Sequence, residues 1–113
     1  MTLIKYNCIA LILLSLTACS LFSEDLTLAQ DFASQGHYAE AISILDTHKS
    51  NASQKYNSTV RVEYGEKILK DLERDQQERY SEAKDLFETA LKLDAKNTRA
   101  RVLYLAVLKL EEK

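Results

Sequence analysis

Proline and tryptophan are absent from this 113-residue chain, and glycine occurs only at Gly36 and Gly65. Without proline no helix interior is forced to kink. With so little glycine the tight hairpin turns of a β-protein have almost no chemistry to draw on. Long β-branched runs and Asn-Gly or Asp-Gly pairs are missing as well, which argues against strands. Two cysteines, Cys8 and Cys19, and two histidines, His37 and His48, leave few groups for a metal site or a nucleophilic relay. No glycine-rich phosphate loop is present. Charge of one sign is lacking too: 15 basic against 17 acidic residues give a net charge of −2, with no basic face of the kind nucleic acid demands. The expectation is a non-enzymatic protein with no cofactor, no metal and no nucleic-acid partner.

What remains is rich in Ala, Leu, Glu, Lys, Gln and Arg, the strong helix formers. Apolar periodicity predicts an all-α chain of five helices, at about 24–35, 38–49, 55–76, 79–93 and 98–111. Ser23 and Asn97 are expected as N-caps and Gly36 as a stop. The polar stretch Ser50-Asn51-Ala52-Ser53 reads as a connection, and the sequons at Asn51 and Asn57 as turn and capping chemistry. Acids and bases alternate at helical spacing (Glu63–Lys67, Glu66–Lys70, Arg74–Glu78, Asp75–Arg79). Such pairs stabilise a solvated helix face by about 0.2–0.5 kcal/mol each and give no reason to infer catalysis. His37 is expected in a turn and His48 beside helix C-terminal carbonyls.

The N-terminal segment carries the plainest message. Lys5 is followed by the apolar run Ile9 to Leu16 and then by Leu16-Thr17-Ala18-Cys19. A basic start, an apolar stretch and small residues before a cut form an export signal. The run is shorter than the roughly 20 apolar residues a membrane span needs, because Asn7, Cys8 and Ser15 interrupt it and Ser23-Glu24-Asp25 ends it. Ordinary cleavage after Ala18, leaving Cys19 unmodified, is the plainer alternative. Leu16 to Cys19 resembles the bacterial lipobox, in which the cysteine thiol receives diacylglycerol and, after cleavage, an N-acyl chain. The resemblance implies a signal peptide at 1–18, a lipidated Cys19 with a short tether at 19–23, and a domain at 24–113. Removal of 1–18 leaves 95 residues (113 less 18) and takes away Lys5 as its only charge, so the net charge becomes −3. No cysteine is then left for a disulfide, and stability must come from packing. Ser20 follows the cysteine, where lipoproteins retained at the inner membrane favour Asp. The implied location is the periplasmic face of a Gram-negative outer membrane, with the domain held close to the bilayer.

Two segments echo each other. Tyr38-Ala39-Glu40-Ala41 and Tyr80-Ser81-Glu82-Ala83 share Tyr-x-Glu-Ala, with a large apolar residue four positions later at Leu45 and Phe87. Ala29 and Phe32 lie twelve and nine residues before Ala41. This pattern resembles the tetratricopeptide repeat (TPR), an antiparallel helix pair of about 34 residues. It implies a right-handed TPR-like solenoid of about 2.5 repeats. Gly65 falls at a close helix contact of that pattern. The interval from Gly65 to Ala83 is eighteen residues where the family has twelve, and the extra length falls around Asp71 to Glu78. Leu105 stands where a small residue is usual.

Such arrays bind peptides or helices on the face lined by the first helix of each pair. Carried over by position, this implies a partner-binding groove at Gln30, Val62, Glu66, Leu69, Arg99 and Val102, flanked by Leu26, Ala33 and Ala106. Ordinary core packing is the plain alternative for Leu26, Leu69 and Val102. The last helix is apolar nearly all round and has no following helix, so an exposed apolar strip is expected on it. The implied function is a membrane-anchored adaptor for a protein or peptide in envelope assembly or secretion. The alternative is a self-associating structural lipoprotein, a homo-oligomer without a dedicated peptide site.

Overall fold

The computed structural model describes residues 17–112, with side chains described from Glu24 onward. Residues 1–16, most of the segment expected as a signal peptide and including Lys5 and Cys8, lie outside them. Five helices follow in order: α1 (Thr17–Ser34), α2 (Tyr38–Leu45), α3 (Asn51–Lys70), α4 (Gln76–Leu93) and α5 (Thr98–Glu111). Among the described residues there is no strand.

Helix α1 starts earlier than its composition suggests. Residues 19–23, expected as a tether closed by a Ser23 cap, are its first turns. No proline or glycine interrupts 17–34, so nothing stops the helix from propagating backwards. Its other end behaves as expected. Gly36 adopts φ +84°, the left-handed conformation that glycine reaches without strain. There the Gly36 N–H donates to Ala33 O at 3.0 Å and His37 N–H to Phe32 O at 2.8 Å. That pairing is the Schellman arrangement, and the Phe32 and His37 rings meet edge-on at 6.3 Å as its apolar clasp. His37 is thus a turn residue. Helix α2 stops at Leu45 rather than 49. His48 reaches across to α1, its Nε2 lying 2.8 Å from Asp25 Oδ2.

The boundaries of α3 differ most from expectation. It opens at Asn51, because Ser50 is its N-cap and accepts from Ser53 N–H at 3.2 Å. It closes at Lys70, not 76, where the Arg79 guanidinium donates to Leu69 O at 2.7 Å and Arg74 O at 3.2 Å. A cation on the last carbonyls of a helix satisfies groups that would otherwise lack partners. Asp75 then caps α4 through Glu78 N–H, and Asn97 caps α5 through Ala100 N–H, both at 3.1 Å.

Contacts between α3 and α4 run in opposite order along the two helices: Ser58 meets Ala90, Arg61 meets Thr89, Gly65 meets Phe87, and Leu69 meets Arg79. The pair is therefore antiparallel. Gly36–Lys67 and Asp46–Asn57 set the same direction for α2 and α3. Two cores result. Ala29, Ala33, Ala41, Leu45 and Val60 form one between α1, α2 and α3, while Val62, Ala83, Phe87, Ala90, Ala100 and Val107 form the other between α3, α4 and α5. Val60 and Val62 lie about 200° apart around a helix, so α3 is the wall both cores share. An α-carbon substituent at Gly65 would lie 2.5 Å from Phe87 Cε1, which is why glycine occupies a helix interior there.

Polar groups seal the junctions around α3. Arg61 donates to Asp46 on the α2 side at 3.0 and 3.1 Å, to Asn57 Oδ1 at 3.0 Å and to Thr89 Oγ1 on α4 at 3.1 Å, and Asn57 Nδ2 donates to Asp46 at 2.7 Å. Asn57, whose sequon was expected to serve turn and capping chemistry, is a buried mid-helix member of this network. Buried Ser58 donates to Ala90 O at 2.7 Å and accepts from Asn97 Nδ2 at 2.8 Å, tying α3, α4 and α5 together.

Candidate partner-binding groove

Because α3 lies between the other elements, its solvent face is bounded by α2 on one side and α5 on the other. A cleft of about 300 Å³ lies between α3 and α5, lined by Thr59, Val62, Glu63, Asn97 and Arg99. A second of about 300 Å³ lies against α2, lined by Tyr38, Glu63, Glu66, Lys67 and Lys70. Glu63 lines both.

The charges here do not pair along the helix as their spacing predicts. Glu66 takes a two-pronged bond from Arg99 on α5, at 2.5 and 2.7 Å, instead of Lys70. Lys67 donates to Gly36 O at 2.9 Å and sits 5.5 Å from the Tyr38 ring centre, instead of pairing with Glu63. Arg74 bonds Glu82 and Arg79 is buried on the Leu69 carbonyl, so neither expected pair in the α3–α4 turn forms. Fork-on-carboxylate geometry makes the Glu66–Arg99 bond the more specific one.

Electrostatics follow from this pattern. Glu63 has no cation of its own, and burial together with the nearby Glu66 carboxylate holds its carboxyl above the usual value, with Arg99 pulling the other way. The hydrogen bonds that Arg99 donates to the Glu66 carboxylate hold its guanidinium in the charged form more firmly still.

The six expected groove positions separate. Glu66 and Arg99 are brought together. Leu69 is half-buried against the second core, and Val62, 2% exposed, belongs to that core and forms part of the lining of the α3–α5 cleft. Gln30 is exposed on α1, apart from the α3 clefts. Val102 is 59% exposed on α5 beside Leu105 at 58% and Leu110 at 42%. Val102 and Leu105 are neighbours on the outer face of α5, as the strip expected there, whereas Leu110 lines a cleft against the start of α4 with Gln76, Gln77 and Tyr80. Sequence reasoning missed Glu63, Tyr38 and Lys67, though part of the signal was present: Glu63 and Lys67 lie on the exposed flank of α3, the helix that the repeat pattern places centrally, while Tyr38 faces them from the start of α2. Cys19 lies in α1, and the lipidation expected of it concerns a side chain outside those described.

Among the described residues no group of His, Cys, Asp and Glu side chains could hold a metal ion, and no helix is long and apolar enough to cross a membrane. Comparison of the chain with family models, with curated proteins and with solved structures returned no match.

Proposed function

We propose that this protein is a lipid-anchored, TPR-like adaptor of the bacterial envelope, fixed by Cys19 to the periplasmic face of the outer membrane. In this reading the helix pairs α1–α2 and α3–α4 are the first two repeats and α5 is the unpaired first helix of a third. A peptide or helix from a partner protein lies along α3, in the two clefts that share Glu63. The observation that carries the reading is this central, mixed-charge face: Glu63, Lys70 and the Glu66–Arg99 bridge offer charges to a bound chain beside the Tyr38 ring. Acidic and basic groups together suit an amphipathic peptide better than a small molecule, which takes an enclosed apolar pocket. The anchor supports it from the other side, since a domain tethered at its first helix meets only what lies near the membrane.

A photoreactive residue in place of Glu63, in the full chain in its native host, tests the groove. One recurrent envelope protein among the adducts is the expected result. A lack of adducts, or a scatter of unrelated ones, refutes the adaptor. Cys19→Ser tests the anchor separately and is expected to move the protein from the membrane to the soluble fraction. The exposed strip on α5 favours a second reading, self-association, in which adducts join two copies of the chain.

A further inference from the structure

Five large hydrophobic residues are exposed among the described residues, and four of them lie on the two terminal helices: Leu28 on α1, and Val102, Leu105 and Leu110 on α5. The helices that carry them are oppositely charged. Helix α1 has Glu24, Asp25 and Asp31 and no lysine or arginine, whereas α5 has Arg99, Arg101 and Lys109 against Glu111. Three of these charges are taken up within the chain, Asp25 by His48, Arg99 by Glu66 and Glu111 by Lys84. Glu24 and Asp31 stay on the outer face of α1, where with Leu28 they line one shallow depression. Arg101, which also donates to Ala95 O at 2.8 Å, and Lys109 stay exposed on α5.

The two faces match in layout as well as sign. Leu28 has an acid one turn before it and another one turn after it, at Glu24 and Asp31. Leu105 has a base one turn before it and another one turn after it, at Arg101 and Lys109. At 1.5 Å per residue the acids are about 10 Å apart along the axis and the bases about 12 Å apart. We infer that the outer face of α5 docks the α1 face of a second copy of this chain, with Leu28 on Val102 and Leu105 and the two acids on the two bases.

The alternatives among copies are worse by charge alone. Pairing α5 with α5 sets Arg101 and Lys109 against their own kind, and pairing α1 with α1 does the same with Glu24 and Asp31. A contact between unlike faces leaves one of each exposed at the ends of every pair, so copies add head to tail, closing into a ring where the rotation between them allows and otherwise extending as an open row. This association is independent of the lipid anchor and of the α3 groove. It uses neither Cys19 nor Glu63, so either reading can fail without the other.

A photoreactive residue in place of Leu28 in the full chain, expressed in cells, gives the test. The expected adduct has twice the chain mass, and its cross-linked peptide contains Val102 or Leu105. Reversing the bases (Arg101→Glu with Lys109→Glu) is expected to lower its yield about tenfold, since like charges then face each other. Adding Glu24→Lys and Asp31→Lys to that variant restores it, which a merely misfolded variant would not do. Adducts joining Leu28 to α1 of the second copy, adducts only to other proteins, no adduct, or no recovery in the fourfold variant would each overturn the inference.

Discussion

On the α1–α2 side of α3 the buried apolar residues are Ala29, Ala33, Ala41, Leu45 and Val60, whereas on the α4–α5 side a fully buried Phe87 sits among Val62, Val107 and three alanines. The first core closes by letting small residues bring helices together, with Phe32, Tyr38, Ile42, Ile44 and Tyr56 packed half-exposed around its edge. The second, edged in the same way by Leu69, Tyr80, Leu91, Leu103 and Tyr104, closes around one ring pressed on Gly65. A core of small contacts distributes its stabilisation. A core built on one ring concentrates it, and the two should respond differently to the loss of a single side chain.

The largest expected effect is therefore Phe87→Ala. Removing the ring leaves a cavity that the neighbouring alanines and Gly65 are too small to fill, and the cost should reach about 3–5 kcal/mol. Leu45→Ala should stay near about 2 kcal/mol, the low end for such changes, because the half-exposed Ile42 and Ile44 can settle into the gap. Urea unfolding followed by circular dichroism measures both. Equal losses would mean the two cores are not built differently.

Gly65→Ala sharpens the same contrast with a smaller change. Alanine should gain about 1 kcal/mol in helix propensity. The added methyl group, however, lies 2.5 Å from a ring that is fully enclosed and has nowhere to move. Overpacking typically costs about 1–3 kcal/mol, so the net expectation is a loss of about 1 kcal/mol. In a Phe87→Leu background the clash disappears and the same substitution should stabilise. A loss of equal size in both backgrounds would show that Gly65 serves something other than the ring.

This contrast explains what could be read from the sequence. Gly65 and Phe87 stand out because glycine inside a helix and a large residue four positions after Tyr-x-Glu-Ala both break local expectation, and the structure puts them in contact. The number of helices and the stop at Gly36 follow from local chemistry and were equally legible. The start of α3 was not, because Ser53, Asn57 and Ser58 look like a linker or a polar face. They are polar because they are buried at junctions, where they bond Asp46, the Leu45 carbonyl and the Ala90 carbonyl on other elements. Partners that far away in sequence leave no periodic trace. The groove shows the same limit. Val62 and Val102 hold equivalent positions in the repeat pattern, yet one is enclosed by α4 and α5 while the other lies on a helix with no successor. Burial there depends on what comes next in space, which spacing along one helix does not encode.

Beside the second core, Glu63 gives the smallest expected effect and the one that depends on pH. Its carboxyl is held above the ordinary 4.5 by burial and by Glu66. The folded state therefore binds its proton more tightly than the unfolded chain does. Stability from this group is fully present below its ordinary value and is lost as pH rises through the raised one. At pH 7 the charged carboxylate is a burden, and Glu63→Gln should stabilise the domain by a few tenths of a kcal/mol, the small size following from solvent screening of an exposed group. Below the ordinary carboxylate range the gain should vanish, because wild type then carries the proton itself. Thermal unfolding of both proteins from pH 3.5 to 7.5, about one unit below to three above the ordinary carboxylate value, covers that window. A stabilisation independent of pH would place the cause in packing, whereas a destabilisation at pH 7 would mean that Arg99 outweighs Glu66 at Glu63, so that the face along α3 binds the carboxylate rather than straining it.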